Sequence, residues 1–304
     1  MINTQHSSNT QLKLLVPNTN RALQEVLKSA TQEQLQGLTG GSKTLGDILH
    51  SLFSDTLQNN TQEKTLLDLL KNNPTLKNLT NTQTTLKALI KELPTNTQLS
   101  TTLKQFTHNI HTINGKDLHT KLQNSGVFLE NKLKNDTALQ NDLKAVLLTA
   151  HKEISDTSSM PNKVEILKHI DKLLLQIDYF QLSSSLSNAP TLFIPYSWEQ
   201  LKEGSITIRK KKKNHHICDI ELTLEEYGEI MLRLGLFENT QLYITITTHS
   251  TTLKEMILTH IDLLKTQLKT VGLTPKDISF TTPNTQHSYT TAQKNISCGF
   301  EVNV

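Results

Sequence analysis

Gly37-Leu38-Thr39-Gly40-Gly41-Ser42-Lys43-Thr44 is the stretch nearest to a phosphate-binding loop. Such a loop needs glycine directly before its lysine so that backbone N–H groups close on the phosphate, but Ser42 stands there and no strand-like run precedes it. The expectation is a turn leading into a helix near Thr44, with Asp47 as its capping partner. His215, His216 and Cys218 are soft metal ligands. On a strand only His216 and Cys218 share a face, and no other pair completes a tetrahedral set. His108 and His111 lie one helical turn apart without an intervening glutamate. Arg209, Lys210, Lys211, Lys212 and Lys213 form a dense cationic run between two strand-like segments. That pattern suits a hairpin tip able to dock electrostatically on an acidic partner surface. It lacks the interleaved aromatic rings on which bases stack. Glu225, Glu226 and Glu229 surround Gly228 in a polar turn. There is no Gly-x-Ser-x-Gly elbow and no acid–base pair bracketing a cleft, so no catalytic, cofactor or metal residue is expected.

These groups must be carried by regular elements, and the clearest are in 217–280. Ile220, Leu222 and Leu224, then Ile230, Leu232, Leu234 and Leu236, then Leu242, Ile244 and Ile246 alternate with polar residues. A period of two means strands with one buried face. Tyr227-Gly228 and Glu238 to Thr240 mark short antiparallel connections. After His249 the period becomes helical, with Leu253, Met256, Ile257, Ile261, Leu264, Leu268 and Val271 expected on one stripe that covers the sheet. Thr252 and Glu255 would form its capping box, and Gly272 and Pro275 would stop it. A short strand over 277–280 would follow.

Upstream, leucines recur at helical intervals in a background of Thr, Asn, Gln and Lys: Leu45 to Phe53, Leu66 to Leu70, Leu86 to Leu93 and Leu99 to Ile110. Thr and Asn are mediocre helix formers, so packing must stabilise these segments. Stronger stripes follow, Leu139, Leu143, Val146, Leu147, Ala150 and then Val164, Leu167, Ile170, Leu174, Ile177, which can pair as a helical hairpin. Ser183 to Asn188 reads as a linker closed by Pro190, with Thr191 to Pro195 a strand and Trp198 a core anchor beyond it. The expected organisation is a marginally stable, partly disordered helical region over 1–115, a helical segment over 116–187, an α+β domain over 188–281 with an antiparallel or mixed sheet under one long helix, and a tail over 282–304 whose Phe300 to Val304 could add an edge strand.

Hydrophobic residues are 35% and aromatics 5%, enough for a core in part of the chain. The net charge of +3 is too balanced for a nucleic-acid or membrane footprint. Cys218 and Cys298 are far apart, so no disulfide framework is expected and a reducing compartment is the default. No apolar run reaches membrane-spanning length, and the opening residues lack a cationic start and apolar centre, so no cleaved signal is expected.

Leu222-Thr223-Leu224-Glu225-Glu226-Tyr227-Gly228 resembles the central motif of the C-terminal domain of flagellar hook-length control proteins, in which leucine, proline, glutamate, leucine and glycine recur, with Leu224 in the proline's place and Tyr227 in the second leucine's. Ser125-Gly126-Val127-Phe128-Leu129-Glu130, with Leu133 and Asp142 to Leu148, resembles the segment before that domain. The resemblance implies a protein exported through the flagellar type III apparatus without a cleaved signal peptide. Its C-terminal domain would contact the cytoplasmic domain of the export gate's switch component and end hook-subunit export. Hook and hook-cap subunits are further implied partners, and the motif turn Leu222, Leu224, Glu225, Tyr227 and Gly228 belongs to the contacting domain. A non-exported adaptor whose α+β domain binds another protein is the alternative.

Overall fold

The computed structural model describes residues 20–39, 60–77, 82–94, 97–135, 137–212 and 214–281. The expected turn and helix over Gly40 to Phe53, Lys213 and the edge strand over Phe300 to Val304 lie outside these residues. The chain forms two compact units that meet in sequence between Arg209 and Lys210.

The first unit holds helices α1 (Arg21–Ser29), α2 (Gln32–Thr39), α3 (Asn60–Asn72), α4 (Pro74–Lys77), α5 (Thr82–Glu92), α6 (Gln98–Gln105), α7 (Gly115–Gln123), α8 (Leu129–Lys134), α9 (Leu143–Asp156) and α10 (Lys163–Ser187), then β1 (Thr191–Phe193). Helix α10 is the axis: α1, α3, α5 and α9 all pack against it. Leu86, Leu89, Leu103 and Phe106 share one core with Leu143, Leu147, Ile170, Leu174 and Phe193. The helices before 115 therefore pack on those after 116, and not only on one another. At the other end of α10, Leu182 and Leu186 join Leu23, Val26, Leu66, Leu70 and Leu76.

Three expectations need correction here. Ser183 to Ser187 is helix, not linker, because Ser184 and Ser187 donate their hydroxyl hydrogen bonds to the carbonyls of Phe180 (2.6 Å) and Ser183 (2.7 Å) while Leu182 and Leu186 are buried. The helix stops at Asn188, which takes the left-handed conformation at φ 48°. Val164 is 80% exposed and does not belong to the buried stripe, which instead includes Ile166 and Leu173. Trp198 is only half-buried, and Phe193 is the aromatic anchor, flanked by Phe106 and Phe180 at 6.4 and 5.9 Å between ring centroids.

Strand β2 (Leu201–Lys212) leads into the second unit, with β3 (His215–Leu224), β4 (Gly228–Phe237), β5 (Gln241–Thr248), α11 (Thr251–Thr270) and β6 (Thr274–Thr281). The sheet order is β1-β2-β3-β4-β5-β6. Pairs β3–β4 and β4–β5 are antiparallel, while β6 returns parallel to β5 after α11, so the sheet is mixed. Register places Ile220, Leu232, Ile246 and Phe280 in one row across four strands, and Cys218, Leu234, Ile244 and Ile278 in the next. Both rows lie on the face that α11 covers in part. Glu238 and Asn239, at φ 50° and 63°, make the tight turn that antiparallel twist favours. The helix cap sits two residues earlier than expected: Ser250 accepts from Leu253 N–H at 3.1 Å. Leu253, Ile257, Ile261, Leu264 and Leu268 face the sheet, but Met256 and Val271 are 45% and 70% exposed, so the expected stripe is narrower. Gly272, at φ 82°, ends the helix, whereas Pro275 lies inside β6 beside a bulge and not at the helix stop.

The first unit also contains a buried charge network. The Lys144 ammonium on α9 pairs with Asp178 of α10 at 2.9 Å and Glu130 of α8 at 3.0 Å. Gln181 accepts from the same ammonium and donates to the carbonyls of Gly126 and Val127 at 3.1 Å. Asp178 also receives the Arg21 backbone N–H at 2.8 Å, which fastens the start of α1. Asn20 caps that start by accepting from Leu23 N–H at 2.8 Å and donates to the Asp178 carbonyl at 3.0 Å. Gly126 takes φ 90° and meets Lys144 so closely that a Cβ would fall 2.7 Å from the Lys144 Cβ. Asp142, buried at the N-cap of α9, pairs with Lys132 at 2.9 Å, and burial raises its pKa despite that lysine. The segment 125–148 is thus a charged clasp across α8, α9 and α10.

Burial alone would lower the Lys144 pKa, but Glu130 and Asp178 outweigh it and the net direction is up. A lysine whose pKa is raised by folding stabilises the fold below its unfolded pKa and loses that contribution as pH rises through the folded value. Asp178→Ala, which leaves Lys144 short of a partner in the interior, should cost about 3–5 kcal/mol in urea unfolding. The difference from wild type should shrink only above the ordinary lysine range, and a variant within 0.5 kcal/mol of wild type at neutral pH would show the clasp to be energetically idle.

Candidate interaction surface

The second unit presents two different sheet faces. On the face away from α11, Asp219 and Arg233 stand directly opposite in register and pair through Arg233 Nε at 2.7 Å. Asp219 is 5% exposed, while the Arg233 side chain keeps 29% of its surface in water. At one end of that face His215 stacks on Phe237 at 4.0 Å between centroids, and Phe237 meets Tyr243 edge-on at 5.3 Å. The Phe237 ring leans over Gly235: a Cβ there would come 3.2 Å from the ring. No period in the sequence marks this cluster, since its members come from three strands and only register joins them.

His216 and Cys218 lie on the opposite face, opposite Leu236 and Leu234. His215 therefore does not converge with them, and among the described residues no group of three or more His, Cys, Asp and Glu is placed to hold a metal. Burial, and then the Asp219 charge, push the Cys218 thiol up to about 11. His108 and His111 flank and enter a short 3-10 turn, Ile110–Thr112, not one helix, and Gly37 falls within α2.

The motif residues divide by role. Leu222 and Leu224 are 8% and 4% exposed and anchor the end of β3 in the core. Gly228 takes φ 72° with no atom within 4 Å of a notional Cβ, so it is required for its backbone conformation and not for space. Glu225 and Glu226 project at the turn, joined by exposed Glu229, and Tyr227 is half-buried. Arg209 to Lys212 finish β2, and Asn214, at φ 62°, turns the chain into the other end of β3. Lys210 is exposed. Ten strand residues separate this hairpin from the motif turn, about 30 Å. The structure does not bring the two candidate contact regions together; it sets acidic and basic ends on one sheet.

Residues 205–288 match the family model of the flagellar hook-length control protein FliK. The match spans all of β3 to β6 and leaves out the clasp segment 125–148. No curated protein and no solved structure matches the chain. The matched residues include the Leu222 to Gly228 motif, through which the sequence resembles the same family.

A thiol held near 11 is almost wholly protonated at pH 8. In a Cys298→Ser background, Cys218 should react with iodoacetamide at pH 8 at least about tenfold more slowly in the folded protein than in urea. Equal rates would place the thiol in open solvent.

Proposed function

We propose, from the hook-length control match of residues 205–288, that this protein measures the growing flagellar hook and switches the export apparatus from hook to filament substrates. The chain leaves through the flagellar type III apparatus without a cleaved signal peptide. Its C-terminal unit then contacts the cytoplasmic domain of the export gate's switch component, while the upstream helices serve as the part that is threaded and that meets hook and hook-cap subunits. The chemistry is recognition: no bond is made or broken.

The observation that carries this reading is the coincidence of the family match with a compact sheet-and-helix unit whose motif turn exposes Glu225 and Glu226 on a tight hairpin. A tight turn presents charge at little entropic cost. The cationic end of β2 favours an acidic patch on the partner and would raise the rate of encounter more than the final affinity. The upstream helices suit threading in composition. Thr82, Thr84 and Thr85 open α5, so once that helix leaves α10 little intrinsic propensity holds its first turn helical.

Chromosomal deletion of 205–288 should give hooks of unregulated length with little or no filament by electron microscopy, and hook subunit should continue to appear in the culture medium. Hooks of normal length bearing normal filaments would reject hook-length control. A wild-type protein never found in the medium during hook assembly would favour the non-exported adaptor.

A further inference from the structure

Arg21, the first residue of α1, is fastened to α10 at two places. Its backbone N–H reaches the Asp178 carboxylate at 2.8 Å, and its guanidinium pairs at 3.1 Å with Asp171, which lies two helical turns earlier. Helix α9 matches that spacing: Lys144 pairs with Asp178 at 2.9 Å, and His151 Nε2 lies 3.2 Å from the Asp171 carboxylate. The contact of α9 with α10 thus has two polar rungs, and α1 begins across both. They differ in burial, since Lys144 and Asp178 are buried and Asp171 is exposed.

Beyond the buried rung the contacts continue into α8. The Lys144 ammonium also holds Glu130 at 3.0 Å, and Gln181 of α10 accepts from Lys144 and donates to Glu130. Helix α8 has six residues and no side-chain cap at its start, too short to persist without such partners. Its apolar side chains Leu129 and Leu133 pack with Leu139 and Ala145, so its tie to α10 is the polar one. Helix α1 packs on α10, α3 and α4. From α1 to α8 runs a continuous polar route: the Arg21 N–H, Asp178, Lys144 and Glu130, with no link longer than 3.0 Å.

An ion pair in the interior is strong because water is absent, and it loses most of its attraction once water reaches it. The first turn of α1 lies on the Asp178 carboxylate. Its departure removes a donor and hydrates Asp178, then Lys144, and so weakens the hold of Lys144 on Glu130. Opening at Glu130 hydrates the same pair from the other end, and a coupling of this kind acts equally in both directions.

We propose that Asp178 makes α1 a latch for the 125–148 clasp: undocking of α1 loosens α8, and opening of the clasp loosens α1. The proposal rests on the reading of the upstream helices as the part that is threaded, and it gives that threading an order, because a pull on α1 is felt at the clasp before the helices between them in sequence unfold.

The test is amide hydrogen exchange of the full-length chain, read by mass spectrometry over 21–29, 86–92 and 125–134. Arg21→Pro removes the N–H that Asp178 receives. Proline suits the first position of a helix, and Asn20, at φ −87° and ψ 107°, already has the conformation required before it. Arg21→Ala keeps the N–H and removes only the guanidinium, so the difference between the two variants isolates the bond to Asp178. Arg21→Pro should exchange at least about tenfold faster than Arg21→Ala over 21–29, at least about fivefold faster over 125–134, and within about twofold over 86–92. Gly126→Ala, whose Cβ would fall 2.7 Å from the Lys144 Cβ, opens the clasp from the other end. It should speed exchange over 21–29 at least about fivefold relative to wild type and again spare 86–92. Faster exchange confined to 21–29 in Arg21→Pro, or to 125–134 in Gly126→Ala, would overturn the coupling. A uniform rise over all three segments would overturn it too, since that reports global stability alone. Either variant decides the matter if the other fails to fold. Uncoupled segments in a protein that reaches the culture medium would sink the latch and leave threading standing, whereas coupled segments in a protein that never reaches it would uphold the latch and remove its part in threading.

Discussion

A pleated sheet whose residues alternate must hide one whole face from water, and in the C-terminal unit this constraint governs everything else. Rows such as Ile220, Leu232, Ile246 and Phe280 run across four strands, wider than one helix can cover. Helix α11 follows β5 and feeds β6, so its connections hold it over that pair. The uncovered remainder is a consequence of topology, not of any single residue.

The helical unit solves a different problem. Helices of 9 to 14 residues such as α1, α3, α5 and α9 are marginal alone, so long-range contacts must hold them, and α10 provides the common surface. Apolar contacts alone would tolerate sliding along that surface. The Lys144, Asp178, Glu130 and Gln181 network and the Arg21 N–H to Asp178 bond are directional, and they define where α1 and α8 sit along α10. Gly126 belongs to the same device, since its left-handed turn lets the backbone close on Lys144.

Much of the second unit was legible. Strict alternation located β3, β4 and β5, and Gly228 and the Glu238-Asn239 pair located their turns, because backbone conformation at a tight turn constrains residue type locally. Helix α11 is legible as an element, but its buried stripe is narrower than its spacing implies: Met256 and Val271 are at helical spacing, yet burial depends on how far the sheet extends beneath them. Ser183 to Ser187 misled for a related reason. Serine favours loops when its hydroxyl competes with the backbone, and here the hydroxyls bond back into the helix while Leu182 and Leu186 find a core.

What the residues determined by themselves was periodic or local: the strands, the turns, the single long helix, the motif that resembles hook-length control domains and the cationic run. Each of these depends on neighbours within a few positions, which a linear pattern records. Only tertiary structure decided that the cationic hairpin and the glutamate turn stand at opposite ends of one strand, that His215 joins Phe237 and Tyr243 while His216 and Cys218 face the other way, and that Asp178 holds both Lys144 and the start of α1. Those arrangements join residues as far as 157 positions apart, and pairing across such distances is set by register and by the electrostatic cost of buried charge, neither of which leaves a repeat in the chain.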